Sequence, residues 1–151
     1  MKIGVEDIKA LRDRTGISIA ECKKALEQAE GNMEKAIEIL RARSVEISAK
    51  KQDRALDAGT VASYIHSNAQ VGALLLLSCE TDFVSKNEEF MALGKDIAMH
   101  ATAMRPVDIA ALLEQPFIKD AEKTIRNLLS EATQKFGERI EVTELSVFSV
   151  R

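Results

Sequence analysis

The chain has 151 residues, 46% hydrophobic and 30% charged, enough for one compact core with a small appendage but not for several large domains. Its 21 basic and 24 acidic side chains leave a net charge of -3, which argues against a nucleic-acid binder held by phosphate contacts. The longest apolar run, over 71–77, falls far short of the roughly 20 residues a membrane helix needs, and the first residues lack the apolar stretch of a secretory signal, so neither membrane nor export is expected.

The charge divides near residue 55, with 12 basic and 10 acidic groups before it and 9 and 14 after it. In the first part Ile8 and Leu11, then Ile19, Cys22, Ala25, Leu26 and Ala29, then Met33, Ala36, Ile37 and Leu40 recur every three or four residues. That spacing predicts three helices, each with one buried stripe, over 1–47. Gly16 stops the first, Ser18 with Glu21 forms a capping box for the second, and Gly31 and Asn32 close it and cap the third. Residues 48–58 read as the tail of a helix running into a linker, since 48–54 carry mixed charge and no large apolar side chain.

A second domain spans 59–151. Val61, Ala62, Tyr64 and Ile65 predict a strand, 67–70 a turn and 71–79 a second strand, together an antiparallel hairpin. Leu74, Leu75, Leu76 and Leu77 put leucine on both faces of that second strand, so both faces need cover. Phe90, Leu93, Ile97, Ala101 and Met104 mark a helix ending before Pro106; a short helix follows; Ile125, Leu128, Leu129, Ala132 and Phe136 mark another, closed by Gly137. A last strand runs over about 140–150. The order predicts an α+β fold whose three-stranded antiparallel sheet is covered by helices on one face. The other face invites a second copy or a partner.

No constellation for bond chemistry emerges. His66, His100, Cys22 and Cys79 are the only imidazoles and thiols, none at zinc-site spacing, so no metal site is expected; His100, three residues after Ile97 and seven after Leu93, reads as a core-edge histidine hydrogen-bonded to backbone. The cysteines form neither a CxxC pair nor a secretory framework, as in a reducing compartment. A small hydrolase would need Cys79 with His66 across the hairpin, yet no third, orienting group is in sight. The seven glycines contain neither GxGxxG nor GxxxxGK[ST], so no nucleotide cradle is expected. The unusual feature is Phe83, one of six aromatics, placed beside Asp82 in the connection between the leucine strand and the next helix. Either the ring packs under its own helix as a staple, or it stands out as a wedge for another protein. Asp82 likewise either caps the helix beginning near Asn87 or points outward.

Thr81-Asp82-Phe83-Val84, followed by Lys86-Asn87 and Phe90, resembles the signature of the elongation factor Ts family. The likeness covers nearly the whole chain. Leu11-Arg12, Thr15-Gly16, Cys22-Lys23-Lys24-Ala25-Leu26, Gly31 and Ala36 resemble the family's ubiquitin-associated-like three-helix module. Ser63-Tyr64-Ile65-His66, Val71-Gly72, Cys79-Glu80, the stretch from Asp96 through His100 to Pro106, and Leu113-Glu114-Gln115-Pro116-Phe117 resemble its core. The resemblance implies a guanine-nucleotide exchange factor that promotes GDP release from elongation factor Tu in the bacterial cytoplasm, or in an organelle if a leader was removed, with no cofactor and no bond chemistry. It implies that Asp82 and Phe83, flanked by Thr81 and Val84, reach the nucleotide-binding domain near its magnesium ion, and that Leu11, Arg12, Ile19, Ala20 and His100 belong to the partner-binding set. An exchange-inactive relative that only binds elongation factor Tu or another partner is the alternative.

The chain also departs from the family pattern. Ser18-Ile19-Ala20-Glu21 stands where members carry a glycine and two methionines, which implies a weaker grip by the helical module, with Arg12 and Leu11 carrying more of it. Between Pro106 and Leu113 members have an insertion forming a helical hairpin, of which six residues remain here. Thr143-Glu144-Leu145 replaces a basic and aromatic run. The chain resembles the family's short form, which implies a homodimer joined through the sheets.

Overall fold

The computed structural model describes residues 2–151. Three helices come first, α1 (Val5–Thr15), α2 (Ile19–Gln28) and α3 (Met33–Lys50). Their apolar stripes close into a separate small core of Leu11, Ile17, Cys22, Ala25, Leu26, Ala29, Ala36, Ile37 and Leu40. Gly16 ends α1 in the left-handed region at φ 70°, and the Asn32 side chain accepts from the Lys35 N–H to cap α3. The capping box at Ser18 is half formed. Ser18 Oγ accepts from the Glu21 N–H, but the Glu21 carboxylate turns to Arg43 at 2.8 Å and Lys24 at 3.4 Å.

The remainder runs β1 (Ala58–Ile65), β2 (Val71–Cys79), α4 (Asp82–Ser85), α5 (Glu88–Met104), α6 (Ile109–Glu114), β3 (Pro116–Phe117), β4 (Asp120–Thr124), α7 (Ile125–Phe136) and β5 (Glu141–Ser149). This is the α+β arrangement expected, with a three-stranded antiparallel sheet in the order β1-β2-β5. Strand alternation resolves the four leucines: Leu75 and Leu77 point into the core, while Leu74 and the partly buried Leu76 point the other way. Phe90, Ile97, Ala98 and Ala101 of α5 cover the inner face, and Phe90 meets Phe136 edge to face at 6.0 Å. The helix crosses so closely that a Cβ at Gly94 would lie 3.1 Å from the Ala62 Cβ, which explains a glycine inside a helix.

The outer face carries Val61, Ile65, Leu74 and Phe148, all substantially exposed. Opposite Leu76 and Leu77 the ladder skips Thr143, a bulge whose hydroxyl meets Ser78 Oγ at 2.6 Å.

One feature was not anticipated. β3 and β4 form a separate two-stranded ribbon beside α5. The helix tail read at the start of 48–58 is present: α3 continues to Lys50, its later turns packed on α7, where buried Ser44 hydrogen-bonds Gln134. A helix with no Gly or Pro and a buried side has no reason to stop at a charge boundary.

Candidate functional site

Strand β2 ends at Cys79, and the chain must turn to begin α5 at Glu88. The turn is made by α4, a single helical turn in which the Ser85 N–H donates to the Thr81 carbonyl at 3.2 Å and the Lys86 N–H to the Asp82 carbonyl at 3.1 Å. One turn of helix sends successive side chains in different directions about 100° apart. Val84 and Ser85 therefore turn inward and are buried, with the Ser85 carbonyl accepting from the Thr60 hydroxyl at 2.8 Å. Thr81, Asp82 and Phe83 face solvent, and the Phe83 ring is 87% exposed.

Of the alternatives left open by the sequence, the staple and the helix cap are excluded. Phe83 is not a staple under its own helix. Asp82 does not cap α5, because Asn87 does: its Oδ1 accepts from Glu89 N–H at 2.8 Å and Phe90 N–H at 3.3 Å.

The base of the tip is held from a distance. Glu138, in the turn between α7 and β5, accepts through Oε1 from the N–H groups of Glu80 and Thr81, both at 3.0 Å, and through Oε2 from the Thr81 hydroxyl at 2.7 Å. The Glu80 carboxylate in turn accepts from the Arg139 N–H and pairs with Arg54 at 3.4 Å. On the inner side the Cys79 thiol donates to the Thr81 carbonyl at 3.3 Å. Glu138 was not singled out from the sequence, where it lies 57 residues beyond Thr81 with no local motif to mark it.

The nucleophile hypothesis does not survive this geometry. Cys79 is buried, and burial together with the Glu138 charge pushes its thiol up, away from the reactive thiolate. Cys79 pairs with Ala58 at one end of the hairpin, whereas His66 follows Ile65 at the other. Eight strand residues at about 3.3 Å each put roughly 26 Å between them. Among the described residues no three His, Cys, Asp or Glu side chains group as metal ligands.

The other residues singled out from the sequence divide by exposure. Arg12, Ile19 and Ala20 lie open on the helical module. Leu11, Val84 and His100 lie inside, where anything they contribute to a partner contact passes through residues they hold. The reason for His100 is specific. Its Nδ1 accepts from the Ile118 N–H at 3.2 Å, so the proton sits on Nε2, which donates to Gln115 Oε1 at 2.9 Å. Burial pushes its pKa down and keeps the ring neutral, packed 5.9 Å from Phe117. His100 thus fastens the β3–β4 ribbon to α5.

A family model described as Elongation factor TS matches residues 5–107 and 80–151. Elongation factor Ts of Thermosipho melanesiensis is 37% identical over 193 aligned residues, covering 98% of each chain. The chain belongs to the elongation factor Ts family. The elongation factor Ts of Desulforamulus reducens is 36% identical over 93% of this chain and 86% of its own length. That of Trichlorobacter lovleyi is 39% identical over 99% of this chain but only 48% of its own. The first alignment is longer than the 151 residues present here, so this chain lacks residues that its T. melanesiensis relative carries. Family membership also gives the exposed Asp82–Phe83 tip a context: it lies in the stretch that resembles the family signature.

Proposed function

We propose that this chain promotes GDP release from elongation factor Tu, as a guanine-nucleotide exchange factor that makes and breaks no covalent bond. The observation that carries the proposal is a phenylalanine left 87% exposed on a helical turn whose base is fully tied down. A ring in water forgoes most of its burial free energy, and a rigid support means that little of that energy goes into ordering the segment when a partner covers it.

The chemistry is one of coupled equilibria. Whatever the tip does to weaken nucleotide binding, the nucleotide does equally to weaken the factor, so the complex holding both is transient and GTP can complete the exchange. The helical module, taken as residues 1–47 and ubiquitin-associated-like, supplies a second grip through Arg12, Ile19 and Ala20. The linker is 48–58 and the core 59–151. The open sheet face, with Val61, Ile65, Leu74 and Phe148, supports a homodimer joined sheet to sheet, each copy binding one elongation factor Tu. The site of action is the bacterial cytoplasm. Neither nucleic acid nor membrane is a partner in this reading; among the described residues no helix is long and apolar enough to cross a membrane.

Release of a fluorescent GDP from elongation factor Tu, followed with and without the chain, tests the proposal. Acceleration that saturates with chain concentration is expected; binding without acceleration identifies the exchange-inactive relative, which the residues missing against the T. melanesiensis relative favour.

A further inference from the structure

We infer that Glu138 is the positioning residue of the Asp82–Phe83 tip: its carboxylate fixes the direction in which α4 leaves β2, an inference that rests on the exchange reading above. The two N–H groups it takes have no partner in a ladder or helix. β2 has ended at Cys79, and Thr81, the residue before α4, caps it with no side chain of its own. Thr81 is exposed, so water alone would satisfy these donors. Water, however, leaves the segment free to pivot. One carboxylate spread over two successive N–H groups and a hydroxyl does not, because any swing of Thr81 breaks a charge-assisted bond.

The tie is reciprocal. Glu138 serves the backbone of residues 80 and 81 while Glu80 serves the backbone of Arg139, so two segments far apart in sequence exchange carboxylates. Gly137 makes the turn possible at φ 73°, a conformation that a side chain strains. The same turn holds the segment after α3: Lys51 Nζ donates to the Gly137 carbonyl at 3.0 Å, and Arg139 Nη1 to the Arg54 carbonyl at 2.7 Å. One anchor therefore sets both the tip and the segment that leads in from the helical module.

The experiment compares the whole 151-residue chain as wild type, Glu138→Ala, Glu138→Gln and Phe83→Ala in two measurements. The first is amide hydrogen exchange at Glu80 and Thr81 in the free chain. The second is GDP release from elongation factor Tu against chain concentration, which separates plateau rate from half-saturation. In Glu138→Ala the two amides exchange faster and the plateau rate falls about tenfold, while half-saturation moves less. Glu138→Gln, which keeps a carbonyl acceptor for both N–H groups, recovers most of the rate. Phe83→Ala slows release with both amides as slow as in wild type. Should Glu138→Ala lose its fold, Glu138→Asp, whose carboxylate is drawn back by one carbon–carbon bond, takes its place with the same expectations. Amides that stay protected without the carboxylate overturn the inference, and so does a wild-type plateau rate once they exchange freely. A wild-type chain that binds elongation factor Tu without accelerating release overturns the exchange reading, and a Phe83→Ala chain as active as an accelerating wild type removes the ring as the acting group, whereas the amide result is read on the free chain and is decided without elongation factor Tu.

Discussion

Replacing Phe83 by alanine separates folding from function, because the two states differ so much in how they treat the ring. In the free chain only the small remainder beyond its 87% exposure is covered, so truncation forfeits a few tenths of a kcal/mol of folding free energy at about 1.5–3 kcal/mol for complete burial. For a domain of this size that lowers Tm by about one degree. When a partner encloses the ring, the exposed share becomes available, about 1.3–2.6 kcal/mol, and at about 1.4 kcal/mol per factor of ten the release rate falls roughly eightfold to seventyfold. Stopped-flow release of fluorescent GDP from elongation factor Tu at saturating chain measures the rate, and thermal unfolding of the same samples measures the fold. An unchanged rate with an unchanged Tm refutes the reasoning; so does a Tm loss of many degrees, which would mean that the ring supports its own subunit.

Phe90→Ala is the opposite case: that ring is fully buried against Phe136, so its removal costs about 3–5 kcal/mol and lowers Tm by roughly 6–20 °C in thermal unfolding. Leu74→Glu puts a charge on the outer sheet face, and sedimentation equilibrium shows the mass falling from dimer to monomer; a wild-type monomer at micromolar concentration rules out the sheet-to-sheet dimer. His100, its pKa lowered by burial, binds its proton less well folded than unfolded. The stability it contributes is whole above the ordinary histidine pKa and is lost as pH falls through that value toward the folded one. Tm therefore declines from pH 7 to pH 5.5, and the slope is shallower in His100→Gln; an identical slope removes His100 as the cause.

Much of the fold was legible because local rules and tertiary packing agree. The three- and four-residue spacing of Leu11, Cys22, Ala25, Leu26, Ala36, Ile37 and Leu40 could bury one face only as helices, and those residues line the small core. Gly16 and Gly137 end helices where a left-handed residue is required. The four consecutive leucines announced a strand with two apolar faces, and a period of two distributes them so. The signature from Thr81 to Val84 stood out as an aromatic in a connection.

What the sequence by itself determined was where chain segments must be helix or strand, and that a phenylalanine stood between two of them. Whether that ring would be covered was a question of what lies beside it in space, and only the tertiary structure decided it, by turning Val84 and Ser85 inward so that Phe83 faces out. The same holds for Glu138 and for the partners of His100, whose place on the apolar side of its helix the spacing from Leu93 and Ile97 already marked. A carboxylate 57 and 58 residues from the N–H groups it binds, and the bonds that fix an imidazole to Gln115 and Ile118, carry no periodic signal, because side-chain hydrogen bonds depend on distance in space and leave no repeat along the chain.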